Sequence, residues 1–554
     1  MKNHILFWIL RQMRRRIPAI ILMTLASVGH ALLGVLFALG SRGVIDSAVA
    51  GDIQAFYKAC FWQMSIILGI LICLTLTRHL TERLRADLER DWKQRLLHGL
   101  LHGEYSAVKE YHSAELLNRL NNDVNKVNDG VLSILPSSAA MVTKLMGAVV
   151  VLGTLDVKFT LMILLLGGIV FAATGIMRRR LKNLNKQVSE YDGKVSGFLQ
   201  EIIEKLLMVQ AMDVSEEVER RADNLLDNRY ILQRKRKNVS VLTNTGVSIM
   251  SYGAGFLALV WCAFRLLHGQ MSFGSLTAVV HLVNQLQMPF VNLSGVLPKY
   301  IAMTASAERL QELDNIQGEK TAIREDLHAV YQNMDCLAAR DLTFSYDRDR
   351  VLEHTNFSLP KGAFAVIVGP SGIGKSTLLK LLLGIFRPEE GGFYIKSGDK
   401  EIMLDRSTRQ LFAYVPQGNL LLSGSLQENL TIVNPNATEE ELQQAIYVSA
   451  MDEFLKDLPK GLDTVLGENG IGLSEGQAQR LAIARAVLGG APILLLDECT
   501  SALDESTERM VLQRLKDQSG KTCIAVTHRP AAVALCDWRL EVLDGKVTAV
   551  LKNI

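Results

Sequence analysis

The chain has 554 residues, 49% of them hydrophobic, and a formal charge of +3. That length exceeds what a single core serves, the apolar share is high for a water-soluble protein, and so small a net charge leaves no electrostatic footprint for nucleic acid. Seven cysteines, at positions 60, 73, 262, 336, 499, 523 and 536, show neither paired spacing nor a metal pattern, which points to buried thiols in a reducing compartment rather than a disulfide framework.

The apolar residues concentrate in the first 300 positions, in six blocks at 17–41, 56–78, 131–154, 157–178, 241–267 and 272–298. Each is long enough to cross a bilayer, which takes ~20 helical residues. Arg11, Arg14, Arg15 and Arg16 precede the first block with no small-residue cleavage site after it, so no cleavable leader is expected. Arg83, Arg85, Arg90, Lys93 and Arg95 follow the second block, and Arg178, Arg179, Arg180 and Lys182 follow the fourth. The connectors after the first, third and fifth blocks are short and carry few positive charges. The bias predicts that the N-terminus, the long connectors 79–130 and 179–240, and the C-terminal half all face the cytoplasm. Both long connectors read as helices, with apolar residues at helical spacing in Leu96, Leu97, Leu100, Leu101 and in Phe198, Ile202, Ile203, Leu206. Structureless inserts of that size are uncommon.

Few polar side chains lie deep in the blocks. Counted inward from the outer connectors, His30, Lys144 and His281 fall roughly 13–16 Å down, near the midplane. Charges are costly there unless they face a cavity or a partner. The three are therefore candidates to line an internal cavity that favours an anionic group, with Asn284, Gln285 and Gln287 as weaker ones. The alternative is an interhelical hydrogen bond for each histidine and a snorkelling lysine.

A polar stretch, 313–334, links to a region, 335–554, whose short strands and helices alternate as in a parallel α/β fold. There Gly369-Pro-Ser371-Gly372-Ile-Gly374-Lys375-Ser376-Thr377 fits G-x-x-x-x-G-K-[ST], after the apolar run Phe364 to Val368 and before Leu378 to Leu383. The glycines let successive N–H groups turn toward phosphate oxygens, Lys375 reaches the outer phosphates, and the Ser376 hydroxyl is placed to ligate Mg²⁺. Ile493-Leu-Leu-Leu-Asp497 reads as a buried strand ending in a carboxylate suited to Mg²⁺, and Glu498 follows as a second carboxylate able to polarise a water. Leu473-Ser474-Glu-Gly476-Gln477, Ser501-Ala-Leu-Asp504, Tyr414-Val-Pro-Gln417 and His528, after the run Thr522 to Thr527, complete the set.

With these motifs in this order, residues 335–554 resemble an ATP-binding cassette domain. The first 312 residues resemble the six-span membrane domain of the exporter type of that family, through Ala114-Glu-Leu-Leu-Asn-Arg-Leu-Asn-Asn-Asp123, Met208-Val-Gln-Ala and Ala305-Ser-Ala-Glu-Arg309-Leu. The resemblance implies that Tyr346 stacks on adenine and that Gly369–Thr377 cradles the phosphates. It also implies that Gln417, with Ser376 and Asp497, contacts Mg²⁺, Gln417 meeting the nucleophilic water as well. Ser474 and Gly476, with Gln477 and Asp504 beside them, would cap the nucleotide of a second copy, Glu498 would be the catalytic carboxylate, and His528 would hold the γ-phosphate. Glu475 departs from the pattern where a glycine is commoner, and Cys499 stands where alanine is common.

The expectation is a six-helix transmembrane domain with long cytoplasmic helical extensions (1–312), a linker (313–334) and an α/β P-loop ATP-binding cassette (335–554). Two copies would form an ATP- and Mg²⁺-dependent efflux pump for a small amphipathic cargo in a bacterial plasma membrane, with no nucleic-acid partner. Helices near 106–115 and 208–216 would relay cassette closure to the spans. An importer on the same design, one half of a heterodimer, and a soluble cassette ATPase are the alternatives. The six apolar blocks weigh against the last.

Overall fold

The computed structural model describes residues 2–316, 318, 327–346, 349–418, 421–467, 472–518 and 520–551. Part of the expected linker (317 and 319–326) and the side chains of Arg178, Arg179 and Gln287 lie outside the described residues. The chain divides into two compact units, one of Met1–Gly99 with His112–Asn315, the other of Leu100–Tyr111 with Ile316–Ile554.

The first unit is helical. A short helix α1 (Lys2–Gln12) precedes α2 (Ile17–Ala50) and α3 (Ile53–His102), whose last turn passes into the second unit with α4 (Tyr105–Lys109). Then come α5 (Ser113–Asn118), α6 (Val124–Leu155), α7 (Val157–Glu204), α8 (Leu206–Ala211), α9 (Ser215–Leu267) and α10 (Phe273–Asp314). At 1.5 Å per residue, the 50 residues of α3 and 53 of α9 run more than twice the ~30 Å of a bilayer's hydrocarbon core. The expected polar connectors are therefore continuations of spanning helices, broken only around α4, α5 and α8. Among the described residues four helical stretches, Arg14–Ala50, Ile53–His102, Ser113–Leu155 and Ser215–Leu267, are apolar and long enough to span. The other two expected spans fall on α7 and α10, both of which contain side chains outside the description.

Helix α1 stands outside the expected elements. Trp8 packs on Trp92 of α3 at 5.2 Å between ring centres, and its indole N–H donates to Asp314 at 3.1 Å. Between α6 and α10 lies a fully buried carboxylate, Asp123, which accepts from Arg309 Nε (2.7 Å), Arg309 Nη2 (2.6 Å) and Ser306 Oγ (2.9 Å). Burial pushes this carboxyl up, but the hydrogen bonds from Arg309 and Ser306 outweigh it and hold it below the usual carboxylate range.

The second unit carries α11 (Leu327–Gln332) and then strands β1 (Cys336–Tyr346), β2 (Asp349–Pro360) and β3 (Phe364–Val368), the helix α12 (Lys375–Leu382), and β4 (Glu390–Ser397), β5 (Lys400–Met403), β6 (Phe412–Val415) and β7 (Gly424–Ser425). Helices α13 (Leu426–Thr431), α14 (Glu439–Val448) and α15 (Asp452–Leu455) follow, with β8 (Val465–Leu466), α16 (Glu475–Leu488), β9 (Ile493–Asp497), α17 (Glu505–Lys516), β10 (Thr522–Val526), α18 (Pro530–Leu535), β11 (Trp538–Leu543) and β12 (Lys546–Leu551). The main sheet has the order β12-β11-β3-β10-β9-β6, parallel except for β11–β12. Its central strands β9 and β10 are buried at every position, the continuous apolar reading of a parallel sheet covered on both faces.

A four-stranded antiparallel sheet, β2-β1-β4-β5, adds to the parallel fold expected from sequence. Its signal is the alternating burial of β2, where Leu352, Phe357 and Leu359 face the core. Helix α4, in the stretch expected to relay closure, belongs to this unit, although the sequence reading assigns 1–312 to one domain. Tyr105 meets Phe386 edge-on at 6.0 Å, Glu104 pairs with Arg387 at 2.7 Å, and Arg406 donates to the His102 carbonyl at 2.9 Å.

Candidate functional site

The carboxyl ends of β3, β9 and β10 lie side by side in the parallel sheet, where ligands of such sheets bind. Strand β3 runs into the phosphate loop, and α12 begins at Lys375 with Gly374 as its N-cap. Gly374 has φ +107°, and a Cβ there would come within 2.2 Å of Val351 Cγ1. No L side chain fits both constraints. Gly374→Ala is therefore expected to weaken nucleotide binding by roughly 5- to 100-fold, the equivalent of about 1–3 kcal/mol of strain imposed on the loop. Titration with a fluorescent ATP analogue checks this, and unchanged affinity would mean that the loop tolerates a Cβ.

Lys375 is 6% exposed, and its ammonium donates to the carbonyls of Gly369 and Pro370, both at 2.9 Å, folding the loop upon itself. Ser376 Oγ donates to Asp497 Oδ1 at 2.9 Å, and Tyr414 OH donates to Asp497 Oδ2 at 3.1 Å. Burial raises the Asp497 carboxyl above its ordinary value, partly countered by the hydrogen bonds from Ser376 and Tyr414. A hydroxyl and a carboxylate that converge this closely form a hard oxygen donor set, and a divalent cation between them would offset the charge that burial penalises. The residues thus fit Mg²⁺.

Glu498 follows β9 with φ +48°, an unusual backbone for a side chain of its size, fixed by its N–H donating to Val526 O at 2.9 Å. Gln417 Nε2 donates to Glu498 Oε2 at 2.8 Å, and His528 Nε2 lies 3.8 Å from Glu498 Oε1. The structure so brings Lys375, Ser376, Gln417, Asp497, Glu498 and His528 into one connected site. Cys499, beside it, is fully buried and its thiol is pushed up to about 12 by that burial, so it stays a protonated packing group.

The Tyr346 hydroxyl lies 3.3 Å from Thr377 Oγ1, and its ring stands edge-on to Phe344 and Phe386. Lys109 Nζ of α4 sits 5.6 Å above the same ring. The expected base-stacking residue is thus also a contact of α4.

Ser474 and Gln477 form a capping box on α16, each side chain accepting from the other's backbone N–H. Gln477 is occupied there. Gly476 leaves room for the Ala502 carbonyl, 2.9 Å from where a Cβ would stand. Asp504 caps α17 by accepting from Thr507 N–H at 2.9 Å, and its hydrogen bonds from Ser506 and Thr507 hold it well below the usual carboxylate range. Glu475 is exposed. Among the described residues, no hydrogen bond or ion pair joins Ser474, Gly476, Gln477 or Asp504 to the phosphate loop, Gln417, Glu498 or His528.

Sequence reasoning missed two residues. Tyr414 holds Asp497, and its signal was its place three residues before Gln417 on β6. Gln479, buried on α16, donates to Ser501 Oγ (2.9 Å) and accepts from Ala502 N–H (3.0 Å), tying the helix to the loop after Glu498. Within the first unit, His30 and Lys144 line one cavity. His281 is not among its lining residues and packs its ring against Phe37 at 5.2 Å. Gln285, one of the weaker candidates, donates to the Gly34 carbonyl at 2.8 Å.

Comparison with known proteins agrees with this architecture. Residues 20–290 match the family model of the ABC transporter transmembrane region, and residues 352–501 match that of the ABC transporter cassette. ABC transporter B family member 1 of Dictyostelium discoideum is 26% identical over 82% of this chain, which spans half of that protein's length. The ATP-dependent lipid A-core flippase of Vibrio cholerae is 26% identical over 82% of this chain and 78% of its own. A solved bacterial Atm1-family ABC exporter with ATP bound superposes with a TM-score of 0.77, at 23% identity, over 97% of this chain and 94% of the other. The chain is a multi-pass membrane protein with an ATP-binding domain. It belongs to the ABC transporter family, as an exporter-type half-transporter with its membrane region and cassette fused in one polypeptide.

Proposed function

We propose that two copies of this chain form an ATP-driven exporter of amphipathic cargo in a bacterial plasma membrane, with both termini and both cassettes in the cytoplasm. The observation that carries the reading is Glu498 held by Gln417 and flanked by His528, in a chain that also supplies the membrane-spanning helices. On binding ATP, Lys375 would leave the carbonyls of Gly369 and Pro370 for the outer phosphates. Glu498 would accept a hydrogen bond from the attacking water and take up its proton, oriented by Gln417, while His528 donates to the γ-phosphate. Ser376, Asp497 and Gln417 would hold Mg²⁺, whose charge neutralises the phosphates.

Among the described residues Ser474 and Gly476 have no tie to their own chain's phosphate loop, which supports their acting on the nucleotide of the second copy, at the positive end of α16. Both Glu498 and His528 are present, so neither site of a homodimer would lack a catalytic group. The contacts of α4 with Phe386 and Tyr346, and of its N-cap Glu104 with Arg387, support a relay from cassette to spans. The positive charges of both long connectors support the cytoplasmic orientation.

The double variant Ser371→Cys, Ser474→Cys tests the dimer, because the two thiols would meet only across copies. Oxidation in lipid with MgATP should yield a product of twice the monomer mass that is absent without nucleotide. A product that stays monomeric under both conditions would overturn the reading.

A further inference from the structure

A cavity of about 280 Å³ opens between α2, α3 and α6. It is lined by His30 and Lys144 together with Ser27, Thr77, Ser133 and Ser137, and no acidic side chain is among its lining residues. Three of the hydroxyls are spent on their own helices: Ser27 donates to Met23 O, Thr77 to Cys73 O and Ser137 to Ser133 O. The Ser133 hydroxyl is buried and has no hydrogen-bond partner among the described residues. Neither His30 nor Lys144 has a hydrogen-bond or ion-pair partner among the described residues. One turn along, Pro136 interrupts α6 and has no N–H to give to the Leu132 carbonyl.

These groups share one deficit. An ammonium in the apolar part of a membrane protein is costly unless an anion or water-filled space meets it, and a buried hydroxyl without a partner bears an uncompensated desolvation penalty. A single acceptor-rich anion would satisfy Lys144, Ser133 and His30 together. The volume lies just below the roughly 300–1,000 Å³ of sites that enclose whole drug-sized ligands, which suits a headgroup with its adjoining methylenes.

We infer that this cavity binds the anionic headgroup, phosphate or carboxylate, of an amphipathic molecule whose apolar chain lies along the α2–α3–α6 surface, with Lys144 as the principal contact. The inference deepens the export reading by giving the cargo its chemical class, and it rests on that reading only for the word cargo.

Equilibrium binding of dodecyl phosphate to the full-length protein, in nanodiscs of phosphatidylcholine and without nucleotide, tests the site. Wild type should bind it in preference to dodecyl maltoside, and Lys144→Met should weaken it by roughly tenfold or more, the loss expected for one charge-assisted contact. Lys144→Arg should recover most of the affinity, and Ser133→Ala should lose severalfold, which keeps the test informative if Lys144→Met folds poorly. Equal affinity of wild type, Lys144→Met and Ser133→Ala would overturn the site. Competition by phosphatidylglycerol nanodiscs would identify a bilayer headgroup as the occupant, competition by inorganic phosphate a free anion, and both outcomes support the anion site. Because no nucleotide is present, failure here leaves the export reading standing, and a failed transport assay leaves this site standing.

Discussion

Glu498→Gln is expected to lower steady-state ATP turnover by roughly 10²–10⁴-fold, the usual contribution of a positioned general base, while nucleotide affinity stays within about twofold. The amide keeps the volume and can still accept from Gln417 Nε2, now 2.8 Å away, and the backbone bond to Val526 O is untouched. What it removes is the negative charge that draws a proton from water. At 1.36 kcal/mol per decade this is about 3–5 kcal/mol of barrier. The measurement is phosphate release from purified protein in lipid beside a binding titration on the same sample. Turnover above a tenth of wild type would move the catalytic role elsewhere, with His528, 3.8 Å from the carboxylate, the next candidate.

Asp123→Ala is expected to be the most destabilising single change in the helical unit. The carboxylate is wholly buried and holds both Arg309 nitrogens and the Ser306 hydroxyl. Removing one partner of a buried pair costs about 3–5 kcal/mol, and the partial exposure of Arg309, which water can reach, places the loss near 3 kcal/mol. Thermal unfolding in detergent should show a lower midpoint. Pairing with Arg309→Met should be clearly less than additive, because both changes break the same contact. An unchanged midpoint for Asp123→Ala would show the pair to be dispensable. The pair also sets a pH dependence. The folded carboxyl lies below its unfolded value of about 3.9, so the unfolded chain takes up the proton more readily. Its stabilisation is complete above that value and fades as pH falls further toward the folded pKa.

The phosphate loop was legible in sequence because it is a short run whose own backbone makes the geometry, whereas His528 takes its expected role from its place in the motif order and Glu498 is set by a bond to Val526 on the neighbouring strand. The long helices were legible as well, since their apolar spacing continues through the polar connectors. The antiparallel sheet was not, because the in–out alternation that marks a half-covered strand is clear only in β2, while β1 carries irregular register and runs of buried residues. Gln477 and Asp504 carry cassette motifs, yet their side chains are engaged in helix caps. In sequence the phrases Ala114–Asp123 and Ala305–Leu310 are separate marks of the membrane region. Only packing of α6 against α10 reveals them as two ends of one ion pair, 186 residues apart.

Membrane-spanning helices, a phosphate-binding loop and a strand ending in two carboxylates are each written in the chain's local pattern, since hydropathy and loop chemistry act over a few consecutive residues. Tertiary structure alone decided which distant side chains meet. It set Tyr414 on Asp497, Lys109 over Tyr346, and His30 with Lys144 rather than with His281. Such pairings depend on which faces of helices and strands are buried together, and a one-dimensional pattern leaves that choice open.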